Sequence, residues 1–264
     1  MDLSTLSFDV SSVTHPGKVR ERNEDSCLLR TDAGFWAIAD GMGGHQAGDV
    51  ASRILVESLD AIERPEQALD LLRQCEAQIF KANQRIIDLS RARNGATIGT
   101  TAAVLLVRDA HYACVWAGDS RIYLIKDGAI KQLSRDHTEV QELVVAGRLS
   151  REDAANWPSN VITRAVGVAE ELELEIVSGA ADPDDVFVLC SDGLTEHVRD
   201  EEILQCAAGH NTQTACEVML ELALQRGGLD NITVVVVRLL STLRSSEPTK
   251  SPLADGSWSG DRES

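Results

Sequence analysis

Runs of apolar residues divide the chain into short strand-like segments and longer helical ones. Continuous or alternating apolar residues predict β-strands over residues 8–13, 25–30, 35–39, 101–107, 112–117, 121–126, 129–133, 186–190 and 232–237. Apolar residues at helical spacing predict helices over residues 47–62, 66–91 and 212–225. Both kinds of element therefore contribute substantially to the fold.

The connections between these segments indicate how the strands pair. Asp127-Gly128 separates two predicted strands and is a strong signal for a two-residue hairpin turn. Antiparallel hairpins of this kind argue against a doubly wound parallel sheet. We therefore expect an α/β (α+β) sandwich in which helices cover antiparallel sheets.

Two segments differ from the rest of the chain in composition. Residues 136–158 are polar and poorly patterned, which is typical of a surface flap. From about Ser241 onward the chain is rich in Ser, Pro, Gly and charged residues. We expect one domain over residues 1–240 and a disordered tail over residues 241–264.

Composition and charge exclude several functional classes. Apolar residues make up 43% of the 264 residues, which is enough for a sizeable core. The formal net charge of -17 repels nucleic acid and anionic lipid, so neither is expected as a partner. None of the six cysteines forms a CxxC pair, and no apolar stretch reaches membrane-spanning length. The first residues lack the features of a signal peptide, so we expect a cytoplasmic protein.

Candidate chemistry lies where apolar strands stop at an aspartate beside a glycine or another small residue. The pattern occurs at Asp40-Gly41, Gly118-Asp119-Ser120 and Asp192-Gly193, and further carboxylates flank strands at Glu24-Asp25 and Asp230-Asn231. A single Asp-Gly pair is more often an ordinary turn. If the strands are neighbours, however, several carboxylates meet at one edge, and only cations make that arrangement tolerable.

The ligand types indicate which cations would bind. Oxygen ligands without cysteine suit the hard cations Mg²⁺ or Mn²⁺. Two such ions can activate a bridging water for in-line attack on phosphorus. Gly41 has no side chain, so its carbonyl can approach a cation closely. Arg20 and Arg22 could each bind a phosphate, and their spacing from Glu24 does not choose between them.

The order of these motifs resembles the PPM (type 2C) metal-dependent serine/threonine protein phosphatases, in their bacterial form. The motifs are Arg20-Glu21-Arg22-Asn23-Glu24-Asp25, Asp40-Gly41-Met42-Gly43-Gly44-His45, Gly99-Thr100-Thr101, Gly118-Asp119-Ser120-Arg121, Ser191-Asp192-Gly193-Leu194 and Asp230-Asn231-Ile232-Thr233. They extend over about residues 7–238. Each is weak alone, but together they are highly specific. The resemblance implies two central antiparallel sheets flanked by helices, with a flap over residues 136–163.

The resemblance also assigns roles to individual residues. It implies a metal site formed by Asp25, Asp40, Gly41, Asp119, Asp192 and Asp230, and catalytic roles for Arg20, Glu24 and Asp25. In this assignment Asp40 bridges two Mn²⁺ or Mg²⁺ ions and Asp119 contributes to a possible third. Arg20, rather than Arg22, is the residue that matches the phosphate-binding arginine. Gly99-Thr100-Thr101 is expected to pack beside the site.

One position departs from the eukaryotic members of this family, which place a proposed general-acid histidine directly after the Asp-Gly pair. Met42 stands there, as in many bacterial members, and it cannot donate a proton. His45 is an alternative donor, although a histidine at the start of a helix more often caps or is simply solvated. We expect His137, in the motif that opens the flap, to be structural.

The resemblance implies hydrolysis of phosphoserine and phosphothreonine by a hydroxide that bridges the two metals. The expected substrates are phosphorylated proteins, so the enzyme would reverse a bacterial Ser/Thr kinase. The single compact domain also resembles phosphatases linked to type VI secretion kinases. We expect a monomer. A cysteine phosphatase is excluded because no cysteine has an arginine six residues later. Two alternatives stay open: a catalytically inactive scaffold domain, disfavoured because the metal carboxylates are present, and a partner-switching phosphoserine phosphatase.

Overall fold

The computed structural model describes residues 6–43, 47–63, 67–108, 110–154, 157 and 161–241. The strands are β1 (Leu6–His15), β2 (Asp25–Arg30), β3 (Phe35–Gly43), β4 (Ile98–Thr100), β5 (Ala102–Arg108), β6 (His111–Ala117), β7 (Arg121–Lys126), β8 (Ala129–Gln132), β9 (Glu175–Ala180), β10 (Val186–Cys190) and β11 (Ile232–Ser241). The helices are α1 (Gly48–Asp60), α2 (Ala68–Ala92), α3 (Glu139–Val145), α4 (Arg151–Ala154), α5 (Asp192–Thr195), α6 (Asp200–Gly209) and α7 (Thr212–Gln225).

The strands form two antiparallel sheets. The first sheet has the order β1-β11-β10-β7-β8, and the second has the order β2-β3-β5-β6-β9, with β4 paired to β3. Helices α1 and α2 cover the outer face of the second sheet, while α6 and α7 cover the first. The expected α+β sandwich of two sheets flanked by helices is confirmed.

Three layers of apolar side chains hold the sandwich together, and single strands contribute to two of them. In β3, Phe35 and Ala37 pack towards α1 and α2, while Trp36 and Ile38 pack between the two sheets. A strand buried on both faces reads as a continuous apolar run, because successive side chains point to opposite faces. Burial of both faces therefore explains why this segment shows no alternation in the sequence.

Several predicted elements have the bounds that the structure shows, and others differ. The predictions for β2, β7, β10 and α7 match residue for residue, and Asp127 and Gly128 have φ values of 52° and 75°, as a tight hairpin turn requires. The prediction that the third strand ends at Ala39 was wrong. β3 continues to Gly43, because Gly41, Met42 and Gly43 pair with β4.

Short or polar elements escaped the sequence analysis: β4, β9, α5 and α6 were not predicted. The predicted flap contains the short helices α3 and α4. Ser241, assigned to the tail, is the last residue of β11, and residues 242–264 lie outside the described part of the chain. In the described ranges, no helix combines the length and apolarity needed to cross a membrane.

Candidate metal centre and active site

The predicted carboxylates all lie where one end of the first sheet meets the same end of the second. Asp25 and Asp40 are paired across β2 and β3. Asp192 is separated from the end of β10 by Ser191 alone, Asp119 lies between β6 and β7, and Asp230 precedes β11. Because the neighbouring strands are antiparallel, these strand starts and strand ends fall on one edge.

Asp25 joins the two sheets at this edge. Its Oδ2 accepts hydrogen bonds from Ser191 Oγ at 2.8 Å and Thr233 Oγ1 at 2.6 Å, both from the first sheet. Its Oδ1 is buried and has no hydrogen-bond partner among the described residues. Burial raises the pKa of Asp25 to about 6, against the opposing effect of these two bonds. The carboxylate is therefore rigidly held, with one oxygen left to bind something else.

Asp40 lies at the centre of the carboxylate group. Burial is the largest cause that raises the pKa of Asp40 well above its ordinary value, followed by the charges of Asp25, Asp192, Asp119 and Asp230. Asp192 is in hydrogen-bond contact with Asp40, and burial raises the pKa of Asp192 to about 6. Like charges this close in a buried setting oppose ionisation, so the group favours either protons or cations.

Threonines from the neighbouring strand fix the main chain of Asp40. Thr101 Oγ1 accepts from the Asp40 amide at 2.9 Å, and the Thr101 amide donates to the Asp40 carbonyl at 2.8 Å. Thr100 Oγ1 donates to the same carbonyl at 3.0 Å. The motif Gly99-Thr100-Thr101 thus packs beside the site and orients its central residue.

Asp119 lies at the side of the site that faces the flap. It is buried, and its Oδ1 has no hydrogen-bond partner within the described ranges. Burial, then the charges of Asp192 and Asp136, raise the pKa of Asp119 to about 7. An unpartnered, buried carboxylate oxygen is costly, and a bound cation would relieve that cost.

Two glycines allow the main chain to crowd around the site. A Cβ on Gly41 would lie 2.1 Å from the carbonyl oxygen of Gly48 and 2.6 Å from that of Glu24. A Cβ on Gly48 would lie 2.6 Å from Glu24 Oε2 and 2.7 Å from the Gly41 carbonyl oxygen. The Gly41 carbonyl and the Glu24 carboxylate therefore both border Gly48, in a space that a side chain would fill.

The phosphate-binding candidate Arg20 reaches the metal carboxylates directly. Arg20 Nη2 lies 2.6 Å from Asp230 Oδ2, and 57% of the arginine side chain is exposed. The bond to Asp230 raises the pKa of Arg20, and the charges of Asp192 and Glu24 add to the effect. Arg22 instead offers its carbonyl to the Asn231 side chain. The geometry therefore favours Arg20 over Arg22, a choice that spacing had left open.

Asn231 was not assigned a role from the sequence, yet it holds the site's loop in place. Its Oδ1 accepts from the Glu24 amide at 2.8 Å, while its Nδ2 donates to the carbonyls of Pro16 and Arg22. Ser191 and Thr233 were missed in the same way. The available signal was a polar residue at the end of an otherwise apolar strand.

No described residue has been assigned as the proton donor for the leaving group. Met42 Cε lies 3.6 Å from where a Cβ of Gly99 would stand, so its side chain packs against β4. His45 lies outside the described residues. His137 is buried; its Nδ1 accepts from the Gly118 amide at 3.1 Å, and its Nε2 lies 3.2 Å from Glu175 Oε1. These contacts fit the structural role expected of His137.

The donor set fits Mn²⁺ or Mg²⁺. The donors are all oxygens, and two buried carboxylate oxygens, of Asp25 and Asp119, have no partner among the described residues. No three acidic, histidine or cysteine side chains of those residues form a compact cage around one point. Mg²⁺ and similar hard ions take oxygen ligands and usually retain several waters besides their protein ligands. The candidate ligands are Asp25, Asp40, the Gly41 carbonyl, Asp192 and Asp230, with Asp119 at a further position.

A two-sheet sandwich with an oxygen-rich metal site at one edge, flanked by an arginine, is the arrangement of a metal-dependent phosphatase. Comparison with known proteins agrees. Residues 17–224 match the model of the Protein phosphatase 2C family, and the chain belongs to this family.

Two bacterial relatives show how much of a curated protein this chain spans. The serine/threonine protein phosphatase PstP of Mycobacterium tuberculosis is 34% identical over 260 residues, which are 97% of this chain and 49% of PstP. A putative protein phosphatase 2C-type of Streptococcus pyogenes is 38% identical over 86% of this chain and 96% of its own length. This chain thus spans about half of PstP but nearly all of the streptococcal protein.

Solved structures share the fold over nearly their full length. PppA, described as a key regulatory component of T6SS in Pseudomonas aeruginosa, superposes with a TM-score of 0.82 at 36% identity, covering 89% of this chain and 98% of PppA. The catalytic domain of PstP in complex with 2 manganese ions gives a TM-score of 0.82 at 35% identity, covering 90% and 100%. The expected resemblance to bacterial type 2C phosphatases is confirmed.

Proposed function

We propose that this protein is a Mn²⁺- or Mg²⁺-dependent protein serine/threonine phosphatase. The observation that carries the proposal is the convergence of Asp25, Asp40, Asp119, Asp192 and Asp230 on one edge, with Arg20 bound to the last of them. A group of like charges at a largely buried edge has no structural benefit of its own, since burial and the charges of Asp25, Asp192, Asp119 and Asp230 all raise the pKa of Asp40. Family membership supports the same function.

Each residue has a distinct part in the proposed reaction. Two divalent ions at such a site supply Lewis acidity and lower the pKa of water. Arg20 donates to the phosphate oxygens, which its planar guanidinium suits. Glu24 and Asp25 orient the attacking water, and Asp25 is rigid because Ser191 and Thr233 hold it. Water attacks phosphorus directly and the bond to the serine or threonine oxygen breaks; in the net reaction one proton of the water ends on that oxygen and the other stays on the released phosphate.

The proposed substrates are proteins phosphorylated on serine or threonine, and the biological role is to reverse a bacterial Ser/Thr kinase. The names of the relatives support this substrate class, and PppA supports a link to type VI secretion. An inactive scaffold is disfavoured, because all the metal carboxylates are present and juxtaposed. We further propose that the protein acts in the cytoplasm as a monomer; its cysteines, within the described residues, are all unpaired.

A metal-dependence assay tests the proposed activity. Purified protein should hydrolyse an aryl phosphate and a phosphothreonine peptide in Mn²⁺, and EDTA should abolish both reactions. Asp40→Ala and Asp192→Ala should lose activity by at least about a thousandfold, because each removes a metal ligand. Asp70→Ala, which changes an exposed aspartate on α2, is the matched control and should retain wild-type rates. Full activity in EDTA would exclude the mechanism, and a phospho-enzyme trapped by acid quench would exclude direct attack.

A further inference from the structure

A cleft of about 420 Å³ opens beside the carboxylate edge, between it and the flap. On the metal side it is lined by Asp119 and Asp192, and its other lining residues include Val140, Trp157 and Glu196. The unpartnered Oδ1 of Asp119 belongs to a side chain that lines this space. The cleft is therefore continuous with the proposed reaction centre, and a bound phosphoprotein would place residues near its phosphorylated one there.

The charges in this cleft are unbalanced. Its lining includes four carboxylates and one cation, Arg121. Arg121 is committed to Asp136, with Nε 3.0 Å from each carboxylate oxygen and Nη2 2.6 Å from Oδ2. Asp119 and Asp192 belong to the metal site. Glu196 remains, and in the described part of the chain its carboxylate has no hydrogen-bond or ion-pair partner.

Glu196 stands between the cleft and the phosphate-binding side of the site. Burial and the charge of Asp230 raise the pKa of Glu196, while the charge of Arg20 lowers it, so both residues are within electrostatic range. A free carboxylate in this position repels a phosphate dianion. A substrate that brings its own cation to Glu196 removes that repulsion, and a substrate without one does not.

The rest of the lining suits a long basic side chain. Trp157 is 44% exposed, so its ring is available for contact, and Val140 lies in the same cleft. Lysine and arginine place an apolar stem on such surfaces while their charged end reaches a polar partner. An aromatic ring adds cation–π attraction, which is larger for arginine.

We infer that this cleft binds an arginine or lysine of the phosphoprotein, close in sequence to the phosphorylated residue, and that Glu196 determines this preference. The inference rests on the proposed phosphatase function and specifies its substrate class. An exposed ion pair together with one cation–π contact gives about a fivefold preference in kcat/KM for a basic over a neutral peptide.

The test uses a series of phosphothreonine peptides on a neutral, alanine-rich scaffold. Each peptide carries one arginine at a different position on either side of the phosphothreonine, and kcat/KM is measured in Mn²⁺. The wild-type protein should prefer arginine at one position or two adjacent positions. In Glu196→Gln, the ratio of kcat/KM for the preferred arginine peptide to kcat/KM for the neutral peptide should be close to one. Glu196→Lys should favour a glutamate at the same position instead. Glu201→Gln, which changes an exposed glutamate on α6, is the control and should keep the wild-type ratio.

The outcomes separate this inference from the proposed function. Hydrolysis of none of the peptides by the wild-type protein would count against the phosphatase function itself. Equal hydrolysis of all of them, a preference for leucine over arginine in a parallel series, or an unchanged ratio in Glu196→Gln would overturn the inference alone. If Glu196→Gln were inactive, the salt dependence of the wild-type protein decides. Its ratio of kcat/KM for the arginine peptide to kcat/KM for the neutral peptide must fall as salt is raised, because salt screens an exposed ion pair. A ratio that is independent of salt overturns the inference.

Discussion

Replacing Asp119 by asparagine should stabilise the metal-free protein at pH 8, because the substitution removes a buried charge while keeping the shape of the side chain. The pKa of Asp119 is about 7, against an ordinary 3.8. At about 1.4 kcal/mol per pH unit, this difference means that ionised Asp119 costs the folded state about 4 kcal/mol. The new amide needs hydrogen-bond partners in the same place, which costs about 2 kcal/mol. The net gain is about 2 kcal/mol.

The gain should depend on pH in a defined direction. Folded Asp119 retains its proton at pH values where the unfolded chain has lost it, so the folded state binds more protons between about pH 4 and pH 7. Its contribution to stability therefore falls as pH rises through that window and is constant above it. Asp119→Asn should therefore be less stable than wild type by about 2 kcal/mol near pH 4 and more stable by about 2 kcal/mol at pH 8.

Thermal unfolding in EDTA, followed by circular dichroism from pH 4 to pH 8, measures this effect. A gain of 2 kcal/mol corresponds to a rise in Tm of about 4–8 °C at pH 8 for a domain of this size. Asp70→Asn, at a half-exposed site in the first turn of α2, should not raise Tm at any pH, because the charge it removes is favourable there. Added Mn²⁺ should raise Tm more in the wild-type protein than in Asp119→Asn, because the variant has lost one ligand. A variant that melts below wild type in EDTA at every pH would show that the charge of Asp119 is not costly, and the reasoning would fail.

Three further substitutions test the geometry of the site. Gly41→Ala should destabilise the fold by at least about 2 kcal/mol in chemical denaturation, since its Cβ would lie 2.1 Å from the Gly48 carbonyl oxygen; normal stability would contradict the close packing. Arg20→Lys should lower kcat/KM for phosphopeptides by about tenfold, because lysine cannot bind phosphate bidentately, and should leave Mn²⁺ affinity within about threefold. A larger loss of Mn²⁺ affinity would mean that the bond from Arg20 to Asp230 mainly supports the metal site. His137→Ala should weaken the lowest-affinity Mn²⁺ site by about tenfold in calorimetry, because it removes the acceptor of the Gly118 amide next to Asp119. Unchanged binding would show that His137 does not position Asp119.

Local patterns in the sequence were sufficient for much of the framework. β7 and β10 were predicted with their observed bounds, because uninterrupted apolar runs end at polar or turn residues. The Asp127-Gly128 turn was also correctly predicted, since only a few residue types tolerate its backbone conformation. The candidate metal ligands were found for a similar reason: an aspartate directly after a buried strand is visible in the sequence even when its neighbours are not.

The tertiary structure decided what depends on residues far apart in the chain. β3 extends past Ala39 only because β4 pairs with it, and β9 is a strand because β6 lies beside it. Neither segment carries a strong pattern of its own. Asp25 is held by Ser191 and Thr233, more than 160 residues away, so no local pattern could indicate the bonds.

The sequence by itself therefore determined the two kinds of element and most of the strands, and it supplied the candidate metal ligands. Only the tertiary structure decided that Arg20 rather than Arg22 contacts Asp230, and that Glu196 faces a cleft. The physical reason is that the apolar pattern and turn chemistry act over a few residues, whereas burial, strand pairing and charge proximity depend on which distant segments meet. The same proximity turns separate aspartates into one site, because burial and the neighbouring charges raise the pKa of Asp40 only when the strands bring these residues together.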